Sequence, residues 1–162
     1  MAKKRGAKVL RTKVGAVEIA RALLERNGIF GFEENGGCLY QPHIAVRDGG
    51  MTTALLLECL AGKGMSFSKA LSFVVPKYFQ SKTKVDVPHK KVEAVMRAVE
   101  RQAKGQVEHV DGVKLWTSER SWVLVRPSGT EPIVRIFAEA ESQEAADQLT
   151  KKFEKSVKLA SA

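Results

Sequence analysis

Two strand-like runs, Ser121 to Val125 and Ile133 to Ala140, flank a short connection, and the residues around them must suit the pair they form. Both runs are rich in β-branched and aromatic residues, and strands in such close succession pair antiparallel. The connection is Arg126-Pro127-Ser128-Gly129-Thr130-Glu131-Pro132. Arg126 offers a planar fork of donors that matches phosphate oxygens two at a time. Ser128 and Thr130 add hydroxyl donors. Gly129 lets the backbone turn and bring its N–H groups close to an anion. Hydrogen bonds of this charge-assisted kind are worth about 1.5–3 kcal/mol each. Pro, Ser and Gly are also ordinary turn residues, so the same stretch suits a plain polar hairpin.

The pattern around this pair is that of an α+β domain. Val113 to Thr117 adds a strand, Tyr78 to Val87 an edge strand, and Val92, Val95, Met96 and Val99 mark an amphipathic helix. Ser142 caps a last helix with Ala146, Leu149, Phe153 and Val157 inward. An antiparallel sheet covered by two helices is expected over 76–162.

Residues 1–75 read differently. Ala7 to Leu10 suggests a short strand, Ala16 to Leu24 a helix stopped at Asn27-Gly28, and Gly28 to Phe32 a second strand. Glu33-Glu34-Asn35-Gly36-Gly37 is a tight polar turn from which Cys38 to Tyr40 leads out. Asp48 is a good N-cap for a helix over Gly50 to Ala61, whose apolar residues lie nearly all round it and predict burial on more than one side. Ser66 or Ser68 opens a short helix through Val74, and Pro76 closes it. Alternating strands and helices imply an α/β layer, but so few short strands make only a partial one.

A chain of 162 residues allows one ordinary domain or two small ones, and its 44% hydrophobic content supports a core. No apolar run approaches a membrane span, and no signal-peptide apolar region follows the opening lysines. Cys38 and Cys59 sit in apolar surroundings without metal-ligand spacing. They are expected to be reduced core thiols of a cytoplasmic protein. The net charge of +9 is concentrated at the start, where Lys3, Lys4, Arg5, Lys8, Arg11 and Lys13 precede the first acid, Glu18. Such an arm could bind nucleic acid or an acidic partner, though it holds no aromatic residue on which a base could stack.

Glu33 and Asn35 present a carboxylate and an amide suited to sugar hydroxyls, or equally a solvated hairpin. Adjacent carboxylates on a turn do not face one bond from two sides, which argues against a glycosidase pair. His43 has the titration range of a proton shuttle or pocket ligand, or serves the loop structurally. With His89 and His109 scattered, no His/Cys metal cluster forms. Gly62-Lys63-Gly64-Met65-Ser66 lacks the spacing of a nucleotide-binding loop.

Taken together, four stretches resemble the α-D-phosphohexomutases, the family of phosphoglucomutase, phosphomannomutase and phosphoglucosamine mutase. Arg126 to Pro132 resembles the family's phosphate-binding loop, and Glu33 to Gly37 its sugar-recognition loop. Thr12-Lys13-Val14-Gly15 and Arg47-Asp48-Gly49 match two further signatures, all in family order. The family usually has glycine where this chain has Phe32. Some members carry a pocket histidine where this chain has Ala16.

The resemblance implies the end of domain three over 1–75 and the phosphate-binding domain four over 76–162. It implies that Arg126, Ser128, Gly129 and Thr130 hold phosphate, and that Glu33 and Asn35 contact the sugar. It implies reversible phosphoryl transfer between the 1 and 6 positions of a hexose, by way of a phosphoserine and a bisphosphate. The family's phosphoserine motif and its acidic magnesium loop do not occur in these residues. No catalytic or metal-ligating residue is therefore assigned here. The magnesium ion and the hexose 1,6-bisphosphate activator are expected in a complete enzyme. The expected partners are a hexose phosphate and either the N-terminal mutase domains or a second copy of the chain. A non-catalytic module that binds nucleic acid or a protein through the basic arm is the alternative.

Overall fold

The structure is a computed structural model that describes residues 6–74 and 77–162. The chain divides into two compact units, Met1–Pro76 and Lys77–Ala162. Among the described residues no helix is long and apolar enough to cross a membrane.

In the first unit, α1 (Ala16–Glu25) buries Ile19 and Leu23 against Leu39 of a small antiparallel sheet. The helix stops where Asn27 turns left-handed, at φ 50°, and the Gly28 N–H donates to the Leu23 carbonyl at 2.8 Å. The sheet has the order β1 (Phe30–Phe32), β2 (Cys38–Tyr40), β3 (Ile44–Arg47). Phe30 pairs with Tyr40 and Phe32 with Cys38. Gly31 is where α1 comes closest: a Cβ there would collide with Cγ2 of Ile19. Phe32, which stands where the resembling loops have glycine, is an ordinary strand residue and not at positive φ.

α2 (Gly49–Gly62) and α3 (Phe67–Val74) follow. Asp48 caps α2 as expected, its Oδ1 accepting from the Met51 N–H at 2.9 Å. Three expectations fail in this unit. Ala7 to Leu10 forms no strand: Val9 and Leu10 are exposed, and no strand pairs with them among the described residues. α2 buries none of its residues, and Leu56 and Leu57 are 42% and 59% exposed. Three strands of three or four residues offer too little apolar surface to cover a helix that is apolar all round. Cys59, on that helix, is exposed and Cys38 only part-buried, so Cys59 is not a core thiol. Pro76 lies outside the described residues.

The second unit contains β4 (Phe79–Asp86), α4 (His89–Glu100), β5 (Val107–Glu108), β6 (Val113–Ser118), β7 (Ser121–Pro127), β8 (Ile133–Ala140) and α5 (Gln143–Ser161). The five strands are antiparallel in the order β4-β8-β7-β6-β5, which places β4 on an edge as expected. Alternate residues point inward. Val123 and Val125 of β7 and Val134, Ile136 and Ala138 of β8 meet Val95 and Val99 of α4 and Phe153 and Val157 of α5. The buried stripe of α5 is Ala146, Thr150, Phe153 and Val157, at helical spacing. Thr150 satisfies its hydroxyl with Ser81 Oγ at 2.8 Å and the Ala146 carbonyl at 3.0 Å. On the other face, the Lys114 ammonium lies 4.3 Å and 4.1 Å from the rings of Trp116 and Trp122, which face each other across β6 and β7.

Candidate sugar-phosphate site

The end of β7 and the β7–β8 turn contain the four residues expected to hold phosphate. β7 runs two residues further than its sequence pattern indicates, so Arg126 is a strand residue, paired with Arg135 of β8. That placement gives the guanidinium a fixed base. Its Nε lies 2.9 Å from Oδ2 of Asp111 in an ion pair, with both side chains about four-fifths covered. Arg135 is taken by Glu131 of the turn at 2.7 Å.

Within the turn, the Ser128 N–H donates to the Ile133 carbonyl at 2.9 Å, and the hydroxyl of Ser128 accepts from the N–H groups of Thr130 and Glu131 at 3.4 Å and 3.2 Å. These bonds use the oxygen lone pairs and leave the hydroxyl proton to donate to an anion. Thr130 is exposed. Gly129 has neither a positive φ nor a crowding neighbour: a Cβ there would meet nothing within 4 Å. Turn geometry therefore does not demand a glycine at this position. What its bare Cα provides is open space beside the hydroxyls.

Asp111 is a residue that the sequence analysis does not single out. Its neighbour Gly112 sits at φ 87°, and a Cβ there would strike the Val125 carbonyl and stand 2.9 Å from the Cα of Arg126. The legible signal was an Asp-Gly pair entering a strand whose partner carries the arginine.

In the first unit, Glu33 and Asn35 occupy the β1–β2 turn. The Glu33 N–H donates to the Gly37 carbonyl at 2.7 Å, and Asn35 Oδ1 accepts from the Gly37 N–H at 3.0 Å. Asn35 is exposed, and with its Oδ1 committed to the turn its Nδ2 amino group is the end left for a ligand. The Glu33 side chain is only 8% exposed and stands 3.3 Å from Arg47 Nη1. That approach is close enough for an ion pair but not aligned as a hydrogen bond, so Oε2 is buried without a donor. A buried carboxylate oxygen in this state is costly, and the Arg47 charge beside it offsets part of that cost.

His43 lies beside the start of α2, with Nε2 3.2 Å from Oδ2 of Asp48. It backs the helix cap. Asp48 is held below its ordinary value of 3.8 chiefly by the Met51 N–H, with His43 adding to the effect. Among the described residues no group of three acids, cysteines or histidines could hold a metal ion. The basic arm is described only from Gly6 onward; Lys3, Lys4 and Arg5 lie outside the described residues.

Comparison with known proteins agrees with this architecture. Residues 1–78 match the family model described as "Phosphoglucomutase/phosphomannomutase, alpha/beta/alpha domain III", and residues 83–156 the one described as "Phosphoglucomutase/phosphomannomutase, C-terminal domain". The chain is 48% identical over 148 residues to a phosphoglucomutase/phosphomannomutase of Thermococcus kodakarensis, covering 90% of this chain and 32% of that protein. It is 45% identical over 150 residues to a phosphoglucosamine/phosphogalactosamine mutase of Sulfurisphaera tokodaii, covering 90% and 32%. A solved phosphoglucomutase/phosphomannomutase family protein of Burkholderia thailandensis superposes with a TM-score of 0.77 at 23% identity, over 98% of this chain and 34% of that one. The N-acetylphosphoglucosamine mutase of Aspergillus fumigatus, solved with GlcNAc-6P and magnesium, does so with 0.67 at 19% identity, over 99% and 36%. At such identities these two likenesses speak to the fold alone. The chain spans about a third of the length of the curated relatives it matches.

Proposed function

This chain belongs to the phosphoglucomutase/phosphomannomutase family, and on that footing we propose that it binds the phosphate and sugar of a hexose phosphate for a phosphohexomutase. The observation that carries the reading is the β7–β8 turn. There a strand-mounted arginine is braced by an aspartate, next to two hydroxyls and a glycine that leaves room for a ligand.

In this proposal Arg126, Ser128, Gly129 and Thr130 anchor the phosphate that is not reacting, which supplies orientation rather than bond-making. Glu33 and Asn35 hydrogen-bond the sugar hydroxyls, Asn35 through its free Nδ2. In the complete enzyme a phosphoryl group passes from a phosphoserine to one sugar hydroxyl. The bisphosphate turns over, and its other phosphoryl group passes to the serine. Among the described residues no group of acids, cysteines or histidines fits a magnesium site. The ion and the hexose 1,6-bisphosphate activator are assigned to the complete enzyme, and no step here runs through the metal. The partner of this chain is the remainder of the mutase, for which the uncovered apolar surface of α2 is a natural seat.

The test is a titration of the chain, followed by amide NMR shifts, with inorganic phosphate and glucose 1-phosphate. Shifts should centre on residues 126–131 and vanish in Arg126→Ala. Shifts that lie elsewhere, or that persist in the variant, overturn the assignment. Duplex DNA at two salt concentrations serves as control: a steeply salt-dependent response to DNA with none to either phosphate would instead favour the basic-arm module.

A further inference from the structure

We propose that Asp111 is the positioning residue for Arg126, holding the guanidinium in the orientation in which it meets the phosphate. This rests on the reading of the β7–β8 turn as the phosphate anchor. The β6–β7 register sets Val113 opposite Val125, so the residues just before Val113 run beside Arg126. Gly112 makes the approach close enough. At φ 87° it adopts a conformation that side chains disfavour, and its bare Cα lets the loop press against the Arg126 backbone. The result is an ion pair with Arg126 Nε 2.9 Å from Asp111 Oδ2, made by side chains only 21% and 23% exposed. Glu131, the acid within the turn, is engaged by Arg135.

A carboxylate held beside Nε restrains the guanidinium at its inner nitrogen. A free arginine side chain must lose rotamer freedom when it grips an anion, and Asp111 removes that freedom beforehand. The same carboxylate also carries a negative charge close to the anion's place, and charge alone opposes anion binding. The two effects have opposite signs, so an experiment can separate them. If Asp111 were only a nearby charge, neutralising it would tighten phosphate binding. If it positions Arg126, removing it weakens binding.

The experiment titrates the 162-residue chain with inorganic phosphate, following amide shifts and the Arg126 Nε–H resonance. Three variants are compared with wild type: Asp111→Ala, Asp111→Asn and Arg126→Ala. Asp111→Ala is expected to weaken phosphate roughly three- to tenfold, in line with the freedom of one long side chain. Its Arg126 Nε–H resonance should also shift, because the carboxylate beside it is gone. Asp111→Asn keeps an oxygen acceptor of the same shape and should bind more tightly than Asp111→Ala, but no more tightly than wild type. Should Asp111→Ala fail to fold, Asp111→Asn decides by the same criterion. Binding tighter than wild type by Asp111→Asn, or wild-type binding by a folded Asp111→Ala, overturns the positioning role while leaving the anchor intact. Unchanged binding by Arg126→Ala overturns both.

Discussion

Glu33 and Arg47 meet across Gly37: Oε2 of the glutamate lies 3.3 Å from Nη1 of the arginine, and a Cβ on the glycine would stand 2.5 Å from Arg47 Cδ and 3.1 Å from Glu33 Oε2. The turn is thus closed by a side chain from β3 that lies against its bare glycine. Gly37→Ala should displace Arg47 and loosen Glu33 while sparing the rest of the unit. In an assembled mutase, this variant and Glu33→Ala should weaken hexose phosphates roughly tenfold or more, the scale of one hydrogen bond to a charged group. Inorganic phosphate should be affected far less. Competition assays with the two ligands would measure the difference, and equal losses would mean that Glu33 only maintains the fold.

Phe153 is the largest side chain in the fully covered core of the second unit, 2% exposed among Val95, Val123 and Ile136. Phe153→Ala should cost about 3–5 kcal/mol. Denaturant unfolding would show this as a shift of midpoint with little change of slope. A loss below ~1 kcal/mol would mean that the core refills the space.

Acid should weaken the two units at different carboxylates. Asp48 is held below 3.8 by the Met51 N–H first, and Asp147 below 3.8 by the Ser81 hydroxyl first and Gln143 next. A depressed folded-state value gives stability that is complete above the ordinary value. It is lost as pH falls below 3.8 through the lower folded value. Asp48→Asn should therefore flatten the acid dependence of helicity in α2, and Asp147→Asn that of the second unit. Circular dichroism against pH checks both, and parallel curves for variant and wild type would refute the linkage.

The chain by itself should not interconvert glucose 1-phosphate and glucose 6-phosphate, because positioning groups alone move no phosphate. Its residues contain neither the family's phosphoserine motif nor a metal-holding set among the described residues. Activity should appear when the chain is combined with a portion that supplies the phosphoserine, in the presence of magnesium and bisphosphate. Turnover by the chain alone, free of host enzyme, would contradict this.

The second unit was legible because its signals are local. Alternation along Ile133 to Ala140 and the spacing of Ala146, Phe153 and Val157 fix which face is inward before any partner is known. β5, with only Val107 and Glu108, has no period to detect, and β3 over Ile44–Arg47 was hidden in a loop reading. The apolar pattern of α2 shows what the helix can bury; it does not say whether a surface exists to receive it. The same limit applied to Ala7 to Leu10, which has strand character but no neighbour to pair with. At the site, the chemistry of Arg126 and Ser128 could be read from residue type. The brace from Asp111 could not, since it depends on the β6–β7 register.

The pairing of Trp116 with Trp122 has a practical consequence for the denaturant unfolding named above. These are the only two tryptophans in the sequence, and both belong to the second unit. Tryptophan fluorescence will follow the melting of the second unit and will be blind to the first, which carries Glu33. A single sharp emission transition would therefore not show that the chain unfolds in one step. Tyr40, in β2, is a spectroscopic reporter native to the other half.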